Sequence, residues 1–160
     1  MPPEEAGEGL YLTILGPGGA VSPREVAYRG MEGPARILAD IAAFYEAFAF
    51  RPETEEAPDH IAVEAGFLGY LTLKEAYSRV RGNEEETEVT AKAAERFRQS
   101  HLSTFAWPLA ERLEMTEVRY LSLGARALAQ RVGPPKDSGS TGDRLPILCD
   151  SDCPVECGQE

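Results

Sequence analysis

The stretch Pro58-Asp59-His60-Ile61-Ala62-Val63-Glu64-Ala65-Gly66-Phe67-Leu68-Gly69-Tyr70-Leu71 decides the fold. Within it and just beyond, Val63, Phe67, Tyr70 and Tyr77 recur at helical spacing, and Ile61, Leu68 and Leu71 form the adjoining stripe. An apolar arc that wide suits a helix at the centre of a bundle, not one lying on its surface. The pattern predicts a helix from Pro58 to about Gly82, since proline is tolerated at the first helical position.

The neighbouring segments read the same way. Upstream, Pro34 opens a helix on which Ile37, Leu38, Ile41, Phe44, Tyr45 and Phe48 make one broad face, and Arg51-Pro52 ends it. Before it, Ser22-Pro23-Arg24-Glu25 has the form of a helix start, with Ser22 as cap and Glu25 three residues on, for a short helix interrupted by Gly30. Gly16-Pro17-Gly18-Gly19 is a loop. Downstream, Glu84-Glu85-Glu86 leads into a helix carrying Val89, Ala93, Phe97 and His101 at steps of four. Pro108, just past Trp107, predicts a kink or a restart. A last helix runs from about Thr116, with Val118, Leu121, Ala125 and Leu128 inward and Gly133-Pro134-Pro135 as its stop. No segment alternates with period two. The expectation is an all-α bundle over residues 1–132, followed by a flexible tail over 133–160 rich in Pro, Gly, Ser and Asp.

Composition narrows the function. The 27 acidic residues against 16 basic ones give a formal charge of −11, which disfavours a nucleic-acid partner. It favours a basic one, although acidity also serves solubility. No apolar run approaches the roughly 18 residues of a membrane span. The N-terminal Met1-Pro2-Pro3-Glu4-Glu5 lacks the basic and apolar regions of a secretory signal, so a cytoplasmic location is expected. No nucleophile elbow, Walker loop, dinucleotide fingerprint or kinase signature occurs, so no motif points to a cofactor, and none is expected.

Two segments resemble a known family. Glu56-Ala57-Pro58-Asp59-His60, followed by Glu64-Ala65-Gly66-Phe67-Leu68, is similar to the E-x-P-D-H and E-L-x-F-M signature of the TorD/DmsD/NarJ chaperones of redox-enzyme maturation. Phe97-Arg98-Gln99-Ser100-His101-Leu102-Ser103-Thr104-Phe105 resembles their F-x-x-x-H-L-x-x-W segment. Leu73-Lys74-Glu75-Ala76, the Gly16-Pro17-Gly18 loop and Phe44-Tyr45-Glu46-Ala47-Phe48 match further family features in family order, so the similarity covers roughly residues 15–132. Two departures stand out. Gly66 replaces a usual glutamate and weakens its helix by about 1 kcal/mol relative to alanine. Phe105 stands where tryptophan is usual, and the chain's only tryptophan is Trp107.

The resemblance implies a TorD/DmsD-like helical fold and, with no chemical turnover of its own, a chaperone that binds the precursor of a molybdopterin-dependent oxidoreductase. The target is its twin-arginine signal peptide or another part of the apo-enzyme, held until the cofactor is inserted and before export. It implies peptide binding at Glu56, Pro58, Asp59, His60 and Glu64, with His101 in the second segment. Carboxylates pair with guanidinium groups, and Phe67, Phe105 and Trp107 would add apolar surface. Members generally carry more helices ahead of the G-P-G loop. The chain therefore reads as shortened there, with its core completed by a second copy through dimerisation or domain swapping, or with altered binding.

Each feature also has a structural reading. Asp59 suits a helix N-terminus, His60 and Glu64 suit an i,i+4 pair, and His101 suits a hydrogen-bonded core position. Cys149, Cys153 and Cys157 suggest the alternative of a small metal-binding or redox protein. Their spacing matches none of the usual C-x2-C patterns, and adventitious or redox-active thiols are the simpler reading.

Overall fold

The computed structural model describes residues 7–30 and 32–135. Six α-helices occur among them: α1 (Glu8–Leu15), α2 (Pro34–Ala47), α3 (Ile61–Val80), α4 (Glu84–Phe97), α5 (Ser103–Glu114) and α6 (Arg119–Val132). A 3-10 turn spans Glu25–Ala27 and a π turn spans Arg98–Leu102. The only β-type pairing among the described residues is an isolated bridge between Arg24 and His60. The all-α architecture follows.

Packing is dominated by two helix pairs, α3 with α4 and α5 with α6, joined through the π turn. At the centre lies Phe67, fully buried on the wide apolar face of α3. Phe44 and Tyr45 of α2, Phe48 just past its end, Phe50, and Phe97 at the end of α4 surround its ring at centroid distances from 4.7 to 6.5 Å. These are the separations at which tilted and edge-to-face aromatic pairs attract. Tyr70 ties α3 to the end of α2 through a hydrogen bond from its hydroxyl to the Phe48 carbonyl (3.0 Å).

The ends of α4 and α6 are set as the sequence implies. Asn83 caps α4, its Oδ1 accepting from the Glu86 backbone N–H (3.1 Å), with three glutamates in the first turn. α6 stops at Gly133, whose φ of 78° turns the chain away from the helix axis. Val118, Leu121, Ala125 and Leu128 pack on the core as expected, joined by fully buried Ala129 and Val132.

Four expectations need correction. The segment ahead of the G-P-G loop is helical: α1 occupies Glu8–Leu15, a short element with little amphipathic periodicity to reveal it. Gly16 and Gly19 fold the loop back on it so closely that an added Cβ would lie 2.4 Å from the Leu12 carbonyl oxygen and 2.6 Å from that of Ile14. The helix expected from Ser22 is only the Glu25–Ala27 turn, because residues 23–25 pair instead with the segment ahead of α3. The central helix begins at Ile61, not Pro58, since Pro58–His60 is held in that same pairing. Pro108 lies inside α5 without breaking it; the irregularity comes upstream, as the π turn.

Candidate functional site

The Pro58-Asp59-His60 turn is held from both sides. The Glu25 N–H donates to the Asp59 carbonyl (2.9 Å) and the Ile61 N–H to that of Pro23 (2.9 Å), while the Tyr45 hydroxyl donates to the Pro58 carbonyl (2.8 Å). The Asp59 side chain, fully buried, binds the loop it faces. Its Oδ1 accepts from Arg24 Nε and lies 2.8 Å from Arg24 Nη2, and its Oδ2 accepts from the Val26 N–H (3.3 Å). His60 caps α3 through Nδ1, which accepts from the Ala62 N–H (3.1 Å). That bond fixes the tautomer with its proton on Nε2, which faces Glu56 Oε2 at 3.8 Å. Burial pushes the His60 pKa down against the opposing pull of Glu56 and Asp59, in keeping with a neutral ring.

Behind this turn lies a buried acid cluster. Glu25 Oε1 accepts from Arg29 Nη1 (2.8 Å), and its Oε2 accepts from His101 Nδ1 (2.9 Å). His101 Nε2 reaches Asp40 Oδ2 on α2 (3.1 Å), so one imidazole spans two carboxylates. Arg29 also donates to the Ser100 carbonyl within the π turn (2.6 Å) and to Glu32 (Nε 3.2 Å, Nη2 2.7 Å). The π turn thus presents a carbonyl to Arg29 and the His101 ring to Glu25.

Glu64, fully buried on α3, completes the cluster. Neither of its oxygens meets an N–H or O–H donor, and the group it faces is the Glu25 carboxylate. Burial, then the charges of Glu25 and Asp59 and the hydrogen bond to Glu25, push its pKa well up, with Arg29 partly opposing. Two ionised carboxylates cannot bond to each other. Its surroundings therefore favour the protonated form of Glu64, in which it can donate to Glu25. Tyr45, whose hydroxyl pKa is raised by burial and by the same three acids, stays neutral beside them.

Two concavities adjoin the cluster, and a third lies along α5 and α6. A polar one of about 480 Å³ lies between α2 and α4, lined by Arg29, Glu32, Arg36, Asp40, Arg96 and His101. A second, of about 400 Å³, shares Asp40 and Arg96 with it and continues over Phe44, Phe48 and Val89. The third, of about 210 Å³, is almost wholly apolar, its walls including Leu15 of α1, Ile61 of α3, Leu109 and Leu113 of α5, and Leu121 and Leu128 of α6. The exposed Glu56 accepts from the Tyr11 hydroxyl (3.4 Å), which belongs to α1, one helical turn before Leu15. No group of His, Cys, Asp and Glu among the described residues has the arrangement of a metal site.

The stretch holding α1, the Pro58–His60 turn, the acid cluster and most of α5 is matched as a unit: the model of the nitrate reductase delta subunit family covers residues 9–111. The chain belongs to this family, which is of the NarJ/TorD chaperone type. This member of the delta subunit family is 32% identical over 123 residues to the chlorate reductase assembly chaperone protein of Ideonella dechloratans, covering 73% of this chain and 62% of that one. It is 33% identical over 122 residues to the selenate reductase assembly chaperone protein of Thauera selenatis, with the same coverage of 73% and 62%. The chain thus spans about three fifths of the length of these curated relatives. No solved structure matches it significantly.

In this delta-subunit-family chain the residues singled out from sequence fall into three groups. Asp59, His60, Glu64 and His101 converge on the cluster, all buried, and His60 and Glu64 do not pair with each other. Phe67 and Phe105 are fully buried in the core, Phe105 against Tyr28 at 5.7 Å. Glu56 and Pro58 are exposed, and Trp107 is half-buried beside Ala106, Ala110, Ala125 and Ala129 on the α5–α6 contact. Sequence reasoning missed Arg24, Glu25, Arg29 and Asp40 as partners of the motif. The available signal was Arg24-Glu25 itself, adjacent charges ahead of a short apolar segment, which a capping reading absorbed. Cys149, Cys153 and Cys157 lie outside the described residues.

Proposed function

We propose that this protein is an assembly chaperone which binds the precursor of a molybdopterin-dependent oxidoreductase in the cytoplasm and performs no chemical turnover. The observation that carries the reading is the match to two reductase assembly chaperones, together with a family match that contains the whole Asp59–His60–Glu64–His101 cluster. The cluster serves this role as a brace. It fixes the residue 22–30 loop, α3 and the π turn relative to one another, so the surfaces on either side are preorganised.

The surface best suited to a twin-arginine leader is the apolar groove between α5 and α6 together with the exposed Glu56, which bonds to Tyr11 of α1. A leader presents guanidinium groups followed by an apolar stretch. Glu56 supplies an exposed carboxylate, and Leu15, Ile61 and Leu121 supply the apolar floor and walls. Tyr11 and Leu15 are four residues apart on α1, about 6 Å along its axis, so both parts of the site lie within one short peptide. In this arrangement Asp59, Glu64, Phe67, His101 and Phe105 shape the site from beneath, and Glu56 makes the contact. The test is calorimetric titration of the full chain with the leader of the molybdoenzyme encoded beside it, and with the same leader carrying alanine for both arginines. The native leader is expected to bind at least tenfold more tightly. Equal affinity for the two would sink arginine recognition, and absence of binding by both leader and apo-enzyme would sink the chaperone reading.

A further inference from the structure

From the solvent face of α3 we infer that a second copy of this chain packs on it, helix against helix, in an antiparallel and twofold-symmetric pairing. α3 turns Val63, Phe67 and Leu71 into the core. On its opposite side Ala62, Gly66, Gly69, Leu73, Ala76 and Val80 follow one another at alternating steps of four and three, and all are exposed. That is the spacing of a coiled-coil seam, sustained over about 27 Å of helix. No charged residue interrupts it, although 27% of the chain is charged. Leu73 is 71% exposed, Val80 87% and Tyr77, at the edge of the seam, 59%. Apolar residues scattered singly on a surface mean little, but a contiguous apolar seam marks a contact surface.

The seam is divided by size. Its N-terminal half holds Ala62, Gly66 and Gly69, and its C-terminal half holds Leu73, Tyr77 and Val80. The fold of a single chain requires neither glycine: both have ordinary helical backbone, and a Cβ added at either would meet no atom within 4 Å. Inside a helix each glycine costs about 1 kcal/mol relative to alanine. Close approach of another backbone gives them a use. In an antiparallel pair centred at the level of Leu71, Val80 of one copy lies opposite Ala62 of the other, Ala76 opposite Gly66, and Leu73 opposite Gly69. The large half of each helix then fills the small half of the other, and every contact occurs twice, as a twofold interface requires. Parallel pairing would set large side chains on large ones and glycine on glycine.

Charge selects the same direction. The exposed Glu53, Glu55 and Glu56 precede α3, and the exposed Arg81 caps its end. The Arg81 guanidinium is held at the edge of the seam by Tyr77, donating to its hydroxyl (2.8 Å) and lying 5.4 Å from its ring centroid. Antiparallel pairing brings Arg81 of each copy to the acidic end of the other, whereas parallel pairing would bring the three glutamates against their own counterparts. The seam is a strip about 27 Å long and about 10 Å wide, well short of the roughly 800 Å² per partner of a standard interface. The pairing is therefore weak and reversible, with a dissociation constant of the order of ten micromolar. It goes beyond the chaperone reading and does not depend on it.

Sedimentation velocity of the full chain should show mostly monomer at about one micromolar and mostly dimer at about 100 micromolar. Leu73→Glu alters an exposed position and leaves the core untouched. It should raise the dissociation constant by about tenfold or more, because the two new carboxylates face each other across the twofold axis. The register has its own test. With Cys149, Cys153 and Cys157 replaced by serine, Ala62→Cys chains are mixed with Val80→Cys chains and oxidised. The mixed disulfide should predominate well beyond random pairing, since like positions lie about 27 Å apart across the axis, too far for a disulfide. A chain that stays monomeric at every concentration would overturn the inference, as would a dimer that Leu73→Glu leaves undisturbed. Like-with-like disulfides in place of the mixed one would overturn the antiparallel pairing.

Discussion

Glu64 is a buried carboxyl whose surroundings favour its protonated form, and this has a measurable sign. Its folded pKa is raised above the ordinary 4.5, so the folded protein holds a proton that the unfolded chain has released. Its contribution to stability is full below the unfolded value and is lost as pH rises towards the folded one. Glu64→Gln keeps the shape and removes the titration. Thermal melts from about pH 5 to about pH 8 should show wild type losing stability relative to the variant as pH rises. Parallel curves would mean that Glu64 is not the buried acid inferred here. Asp59 makes a second case. Its partner Arg24 is 41% exposed, which screens the pair. A double-mutant cycle on Arg24→Ala and Asp59→Ala should therefore give a coupling of about 1–2 kcal/mol in denaturant unfolding, whereas a value near zero would remove Asp59 from its bracing role.

At the scale of elements, α3 carries the core, and its centre is Phe67. Phe67→Ala should cost about 3–5 kcal/mol in urea unfolding, because the aromatic shell around it cannot close over the cavity. One residue away, the exposed Gly66 points to open space, so Gly66→Ala should instead raise stability by up to about 1 kcal/mol. The two substitutions separate packing from helix propensity on one helix. Most of the α3 arc was legible in the sequence because burial demands helical periodicity over several turns. Val63, Phe67 and Tyr70 face the core with Leu71 of the adjoining stripe, but Tyr77, expected among them, is exposed because it lies beyond the part of the helix that packs on the hydrophobic core. The acid cluster was not. Asp59, Glu64 and His101 were visible as motif residues, but Glu25 lies 76 positions from His101 and only the folded chain brings them to 2.9 Å. α1 was hidden for another reason: eight residues hold too few turns for a periodic signal, and its packing against the glycine loop, not its propensity, makes it a helix.

For the molecule as a whole, the division of labour is between a braced interior and the surfaces it positions. Inside the protein Asp59 of the family motif is engaged by Arg24, and Glu25 by Arg29 and His101, whereas Glu56 is exposed and is the carboxylate proposed to meet a partner. With a net charge of −11 behind that site, association with an arginine-bearing leader should slow as salt is raised, while an apolar peptide lacking arginine shows little change. Stopped-flow rates at two ionic strengths check this. The most direct test of the account compares leader affinity and melting temperature in wild type and Glu56→Lys. The account predicts that Glu56→Lys weakens leader binding at least tenfold with an unchanged melting temperature; wild-type affinity in that variant would contradict it.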